Sequence, residues 1–228
     1  MNKLEHPITA WPANGFNKTL AQQTRRAYDL MADLYPLSTF FFHSRAHQRA
    51  VELAGIEDGT RVIEVATGSG EMFERLLRSN PNGSTVGVDL SPKMAARTQR
   101  HAIRAFPGVR AHCQAVDARH LPFRDGSFDT VICCYLLELL AADDILTAIS
   151  EFYRILSPNG KLALVLIGQN TAFFNRLYKV VTKVAPAFWG RQVETRVPEL
   201  VEAADFRITR TQLVKQSGYP SRVLIARK

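Results

Sequence analysis

Arg-Val-Ile-Glu-Val-Ala-Thr-Gly-Ser-Gly-Glu, residues 61 to 71, is the stretch that decides the fold of this chain. Its apolar first half is typical of a buried strand, and the glycines that interrupt it predict a tight turn into a helix. Gly68 and Gly70 lack a Cβ, so the backbone of this turn can approach a ligand closely. By itself the turn is compatible with any nucleotide-like ligand.

Strand-like and helix-like segments alternate after this turn. Strands are predicted at residues 61–66, 85–88, 109–115, 128–134 and 161–167, and helices at 70–79, from 91 to the Pro107-Gly108 pair, and at 143–156. This alternation is typical of an α/β fold with a mostly parallel sheet and helices on both faces. The nearly unbroken apolar run at 161–167 predicts a strand that is covered on both faces.

The two ends of the chain follow another pattern. Helices are predicted at 17–35 and 38–53, an amphipathic helix at 171–185, a short helix at 198–204, and an antiparallel hairpin with strands 206–214 and 222–227. A length of 228 residues with 46% hydrophobic content suits one large domain. We predict a single domain made of an N-terminal helical cap (1–55), a ligand-binding core (56–168) and a C-terminal part (169–228).

The composition indicates in which cellular compartment to expect the protein. No stretch reaches the roughly 20 apolar residues that span a bilayer, and a polar N-terminus broken by Pro7 and Pro12 does not resemble a signal peptide. The 3 cysteines are odd in number and lack metal-ligand spacing, which argues against a disulfide framework and predicts no metal site. We therefore expect a cytoplasmic protein.

The net charge of +8 is local. Residues 1–160 carry 17 Lys and Arg against 17 Asp and Glu, whereas residues 161–228 carry 12 against 4. A basic C-terminal part is compatible with an anionic partner, such as a membrane surface or nucleic acid, and equally with a solvated face that aids solubility.

The residues around the glycine turn discriminate between ligands. Asp89 lies 19 residues beyond Gly70, close to the spacing of a ribose-binding acid in dinucleotide sites. Those sites need a third glycine where this chain has Phe73, and the carboxylates of Glu64 and Glu71 would repel a pyrophosphate. No Gly-Lys-Ser or Gly-Lys-Thr follows, which excludes a Walker-type site. A ligand with a ribose and a positive charge suits the turn better.

Five motifs in order resemble those of class I S-adenosylmethionine-dependent methyltransferases. They are Glu64-Val-Ala-Thr-Gly-Ser-Gly70, Val86-Gly-Val-Asp89, Asp117-Ala118, Phe128-Asp129 and Leu156-Ser-Pro-Asn-Gly160. The resemblance implies a Rossmann-like, seven-stranded sheet with an antiparallel last strand, N-terminal helices that cover the site, and S-adenosyl-L-methionine as the cofactor.

The same resemblance assigns roles to individual residues. Glu64 would favour the cationic methionine end, Asp89 would bind both ribose hydroxyls, and Asp117 would read the adenine edge. The remaining predicted cofactor contacts are Ala66, Gly68, Gly70, Leu90, Met94, Ala118 and Cys134. Ala66 departs from the family, which usually has glycine there, and this predicts a slightly less intimate approach of the turn.

The acceptor is less constrained than the cofactor. Tyr28, His43 and Tyr135 are the candidate catalytic residues, and His47 and Glu138 are further titratable candidates for a general base. His43 and His47 are four residues apart, but two histidines alone make a poor metal site.

The sequence bears on three classes of acceptor or role. Strand 128–134 runs into Cys-Cys-Tyr-Leu and not into the Asn/Asp-Pro-Pro-aromatic motif that holds a flipped base, so nucleic acid is disfavoured. The chain resembles the ubiquinone/menaquinone-biosynthesis and phospholipid N-methyltransferase group, which implies a lipophilic acceptor: a quinone-precursor ring or a headgroup amine. Residues 171–191, apolar on one side and basic on the other, predict contact with an anionic membrane surface. A non-catalytic S-adenosylmethionine-binding protein is the remaining alternative.

Overall fold

The computed structural model describes residues 35–168, 193–216 and 220–228, with side chains from residue 44 onward. The elements are, in chain order, α1 (Tyr35–Ala54), β1 (Arg61–Val65), α2 (Glu71–Ser79), β2 (Ser84–Asp89), α3 (Pro92–Ala105), β3 (Arg110–Ala115), β4 (Phe128–Cys134), a 3-10 helix (Leu137–Leu139), α4 (Ala142–Ile155), β5 (Leu156–Ile167), α5 (Val197–Ala203), β6 (Arg207–Val214) and β7 (Ser221–Arg227). The predicted alternation of strands and helices is confirmed.

The strands form one seven-stranded sheet in the order β3-β2-β1-β4-β5-β7-β6. The pairs among β1 to β5 are parallel, whereas β7 runs antiparallel to both β5 and β6. This confirms the predicted mostly parallel sheet with a C-terminal antiparallel hairpin. The strand order reverses between β1 and β4, and open α/β sheets bind ligands at the carboxyl ends of the strands beside such a reversal.

Core side chains cover both faces of the sheet, because successive residues of a strand point to opposite sides. Leu164 of β5 belongs to the cluster that contains Ile149 of α4. Its neighbour Val165 belongs to the cluster on the other face, which contains Ala50 of α1. The prediction that strand five is covered on both faces is therefore confirmed.

Residues within one turn of a helix or strand end explain most of these ends. The predicted starts of two elements need correction. Ser91 caps α3, where a helix was predicted to start, since its side chain accepts a hydrogen bond from the Met94 amide at 3.2 Å. α1 begins at Tyr35, three residues before the predicted helix 38–53, and Pro36 lies in its first turn, where a missing N–H is tolerated. β5 begins at Leu156, which pairs with Phe128, but its regular pairing with β4 resumes only at Lys161, the predicted start. The 3-10 helix was not predicted.

Several predictions fall on residues outside the described ranges: the helix at 17–35 except its last residue, the amphipathic helix at 171–185, and turn residues 217–219. The division at residues 55 and 168 stays a prediction, although Val193, Val197 and Phe206 pack in the same cluster as β5. In the described ranges, no helix combines the length and the apolar character needed to cross a bilayer.

Candidate active site

The turn between β1 and α2 is held in a left-handed conformation. Ala66 has φ 69°, Gly68 φ 48° and Gly70 φ 86°. The Ala66 amide donates to the Val88 carbonyl at 2.8 Å, which folds the turn against the end of β2. A Cβ on Gly68 would meet no atom within 4 Å, whereas one on Gly70 would lie 3.0 Å from Thr98 Oγ1. Gly68 thus borders open space, as close approach of a ligand requires, and Gly70 permits packing on α3.

Asp89 ends β2 with its carboxylate oriented by the backbone. Oδ2 accepts a hydrogen bond from the Gly68 amide and Oδ1 one from the Ser91 amide, both at 2.8 Å. The acid that was predicted to bind ribose is therefore anchored to the glycine turn. A carboxylate has lone pairs for about four hydrogen bonds, which makes it a suitable acceptor for ribose hydroxyls.

Glu64, on the central strand β1, is the most unusual acid of the turn region. Its side chain is 1% exposed, and Oε2 is buried without a hydrogen-bond partner. Burial raises its pKa well above the ordinary range, and the negative charges of Asp89 and Glu71 raise it further. A positively charged ligand beside Glu64 would offset the negative charges there and stabilise the ionised carboxylate.

Asp117, two residues past β3, is held by a residue that the sequence reading missed. Arg119 contacts Asp117 Oδ2 at 2.6 Å and Asp144 Oδ2 at 3.0 Å. Burial raises the pKa of Asp117, but the hydrogen bonds from Arg119 outweigh it, so the net shift is downward. The Asp117-Ala118-Arg119 spacing could have indicated this ion pair in the sequence, because side chains two residues apart can meet in a turn.

The four smaller predicted contacts differ in accessibility. Leu90 is 37% exposed beside Asp89, whereas Met94 is 1% exposed and lies inside the fold. Of this pair, Leu90 is the one with surface for an adenine ring. Ala118 and Cys134 are buried, and Cys134 belongs to the core cluster on the α1 face. Their predicted cofactor contacts stay predictions.

Tyr135 follows β4 with a left-handed backbone, φ 55°. Its hydroxyl lies 2.6 Å from Ser221 Oγ and accepts a hydrogen bond from Gln216 Nε2 at 3.3 Å. Burial raises its pKa far above the ordinary value, so the phenol is not a base at neutral pH. The predicted catalytic role of Tyr135 stays a prediction, and the geometry favours hydrogen bonding over proton removal.

His47 of α1 is buried against the start of α2. Its Nδ1 lies 3.2 Å from Glu71 Oε2, and Arg75 donates to Glu71 Oε1 at 3.0 Å. Burial raises the pKa of Glu71, but the hydrogen bonds from His47 and Arg75 outweigh it and lower the pKa. α1 is thereby fastened beside the glycine turn. Tyr28 and the side chain of His43 lie outside the described residues.

Taken together, these residues fit S-adenosylmethionine. The buried, unpartnered oxygen of Glu64 suits a cationic methionine end, the anchored carboxylate of Asp89 suits ribose hydroxyls, and the open side of Gly68 admits a close ligand. A pyrophosphate would meet the negative charges of Glu64, Asp89 and Glu71 instead.

Comparisons with known proteins agree with this geometry. Residues 62–160 match a family model described as a methyltransferase domain. The chain is 35% identical to the demethylmenaquinone methyltransferase of Thermus thermophilus, over 77% of this chain and 80% of that protein. It is 31% identical to a ubiquinone/menaquinone biosynthesis C-methyltransferase of Desulfotalea psychrophila over 60% of this chain, and spans about half of that relative (54%).

A solved structure shows the same fold. The N-methyltransferase NodS of Bradyrhizobium japonicum, in complex with S-adenosyl-L-homocysteine, superposes with a TM-score of 0.72 over 90% of this chain and 98% of that one, at 15% identity. Motifs, sheet order, site charges and a relative that matches over most of both chains converge on one assignment. The chain belongs to the class I S-adenosylmethionine-dependent methyltransferases.

Proposed function

We propose that this methyltransferase transfers its methyl group to a lipophilic small acceptor, the ring of a quinone precursor. The observation that carries the proposal is the 35% identity, over most of both chains, with a relative named as a demethylmenaquinone methyltransferase. A second relative named for ubiquinone/menaquinone biosynthesis supports it at 31% identity.

The chain's residues would contribute mainly alignment. S-adenosylmethionine, when bound, supplies a methyl group activated by attachment to a sulfonium. In the proposed site Asp89 and Gly68 hold the nucleoside side, and Glu64 holds the methionine side. The apolar end of β4 around Cys134 excludes water from the space next to them. Positioning of two reactants alone accounts for several orders of magnitude in rate.

We further propose that the acceptor is taken from a membrane, which would place the enzyme in lipid metabolism and peripherally on an anionic surface. The support is the sequence of residues 171–191, outside the described ranges. Apolar residues recur on one helical side there and basic residues on the other, a pattern typical of interfacial helices.

Methyl transfer from labelled S-adenosylmethionine tests the acceptor. The enzyme is incubated with a short-chain demethylmenaquinol, with phosphatidylethanolamine vesicles and with total RNA, and label is measured in each. Labelled quinol alone supports the proposal, whereas label in phospholipid or RNA only would refute it. Flotation with anionic vesicles tests the membrane proposal separately: salt-dependent binding is expected, and no binding at low salt would contradict it.

A further inference from the structure

Glu138 is a buried acid in the 3-10 helix after β4, and cofactor binding does not account for it. Its side chain is 1% exposed. Oε1 accepts a hydrogen bond from the Ile167 amide at 2.7 Å. Oε2 is buried and has no hydrogen-bond partner.

A buried oxygen without a hydrogen-bond partner lowers the stability of the fold. Leaving a buried polar group unpaired costs about 1–3 kcal/mol, and more when the group is charged. Among the described residues only two carboxylates, Glu64 and Glu138, have a buried oxygen without a partner. The cation of S-adenosylmethionine explains the first. The second calls for a ligand of its own.

The backbone places Glu138 at the carboxyl edge of the sheet, beside the end of β5. The Tyr135 amide donates to the Val165 carbonyl at 2.8 Å, so the chain leaves β4 alongside β5. The 3-10 helix then brings Glu138 to Ile167, the last residue of β5. Glu64, in contrast, lies on β1, on the other side of β4.

The end of β4 lies between the two acids. The pKa of Cys134 is raised first by burial and then by the negative charge of Glu64, with smaller effects that include Glu138. Both carboxylates therefore influence the Cys134 thiol at the end of β4. A ring placed between the cofactor and the end of β5 would lie beside the 3-10 helix that carries Glu138.

We propose that Glu138 is a catalytic residue of the acceptor site, where Oε1 stays on the Ile167 amide and Oε2 accepts a hydrogen bond from a ring hydroxyl of the acceptor and removes its proton. This inference rests on the proposed quinol acceptor. As the O–H proton moves to Oε2, electron density passes into the ring. The ring carbon bonds to the methyl carbon, and the methyl–sulfur bond breaks with its electron pair left on sulfur.

The step then balances through one proton. The methylated ring carbon still carries hydrogen, which is lost to solvent as the ring becomes aromatic again. Glu138 returns its proton to the ring oxygen. The net products are the methylated quinol, the neutral thioether and one proton in solution.

The acidity of Glu138 suits this role. Burial raises its pKa to about 7, against the lowering effect of the Ile167 amide. A general base is most effective when its pKa lies near the working pH. The titratable groups that face it from β4 are Cys133, Cys134 and Tyr135, and burial raises the pKa of each. These three stay protonated near neutrality, so none of them accounts for a titration near pH 7 there, and Glu138→Gln assigns it.

Glu138→Gln tests the proposal, because glutamine keeps a carbonyl oxygen for the Ile167 amide and cannot take a proton. With a short-chain demethylmenaquinol, we expect kcat to fall about 100-fold or more, KM to change little, and the rise of kcat through about pH 7 to disappear. The affinity for S-adenosylhomocysteine should not change. The exposed substitution Glu57→Gln is the matched control and should leave every value unchanged.

Three results would overturn the proposal: a kcat within about threefold of the wild type, an unchanged pH profile, or a loss of S-adenosylhomocysteine binding as large as the loss of rate. Should Glu138→Gln not fold, the wild-type profile decides alone, since a kcat that is flat from pH 6 to 8, as an order-of-magnitude window around the base, excludes Glu138.

A wrong acceptor assignment can be distinguished from a wrong role for Glu138. A wild type that methylates phosphatidylethanolamine vesicles but not the quinol refutes the quinol acceptor, and the same variant on those vesicles then decides whether Glu138 removes the ammonium proton. Cofactor binding without transfer to either acceptor refutes both proposals.

Discussion

Replacing Glu64 by glutamine should make the cofactor-free protein more stable and the cofactor-bound protein less so. The side chain is 1% exposed, with one oxygen unpartnered. Keeping it ionised in the fold costs about 1–3 kcal/mol, the penalty for an unpaired buried group. Because folding raises the pKa of Glu64 above its unfolded value of about 4.3, the native state binds more protons, and stability falls as pH rises from there through the folded pKa. The stability gain of Glu64→Gln should therefore grow with pH.

Cofactor affinity should change in the opposite direction. A hydrogen bond to a charged group contributes about 1.5–3 kcal/mol, so S-adenosylmethionine should bind about 10- to 150-fold more weakly to Glu64→Gln. A bound cation favours the carboxylate over the acid. Wild-type binding should consequently release protons and tighten as pH rises, and the variant should do neither.

Calorimetric titration in two buffers of different ionisation heat measures affinity and proton release together, and chemical unfolding measures stability. Glu57→Gln, on the exposed surface before β1, is the control and should change the free energy of unfolding by less than about 0.5 kcal/mol. The reasoning is refuted if Glu64→Gln binds S-adenosylmethionine as tightly as the wild type with the same proton release.

Four further substitutions test other parts of the site. Ala66→Gly should raise the free energy of unfolding by about 0.5–1 kcal/mol, because φ 69° strains an L-residue and the entropy cost of glycine offsets only part of the relief. Gly70→Ala should lower the free energy of unfolding, because Gly70 has φ 86°. Denaturant unfolding in which both variants change the free energy in the same direction would contradict this. Asp89→Ala should weaken S-adenosylmethionine binding about 100-fold in titrations by loss of two charged hydrogen bonds, and intact binding would remove Asp89 from the site. Tyr135→Phe should cost about 1–2 kcal/mol by removing one of the hydrogen bonds of the buried Ser221 hydroxyl, which keeps the one from Gln216, with S-adenosylhomocysteine affinity unchanged. A tenfold weaker affinity would instead put the phenol in the site.

Elements that depend on local signals could be read from the sequence. β4 occupies Phe128–Cys134 as predicted, because an apolar run between turn residues has few alternatives. Ser91 and Pro92 mark the start of α3 by capping chemistry that operates within one turn. The order of acids after successive strands also carries over, since parallel strands bring their carboxyl ends to one edge.

Features set by distant contacts could not be read in this way. The hydroxyl of Tyr135 meets Ser221, 86 residues later, and Glu138 meets the Ile167 amide, 29 residues later. The sequence offers Glu138 only as one of five candidates for a general base. Its burial follows only from the place where β5 ends. β5 starts earlier than predicted because Leu156 pairs with Phe128, whereas the pairing is irregular over residues 157–160, where Asn159 has φ 62°.

Which positive charge of the cofactor Glu64 faces can be argued from the reaction. The sulfonium loses its charge during transfer, so a carboxylate against it would stabilise the reactant more than the transition state and slow the reaction. The methionine ammonium keeps its charge throughout, and a carboxylate there binds without that penalty. We therefore expect Glu64→Gln to weaken S-adenosylmethionine and S-adenosylhomocysteine by the same factor and to leave kcat at saturation unchanged. A loss confined to S-adenosylmethionine, with a higher kcat, would place Glu64 against the sulfonium instead.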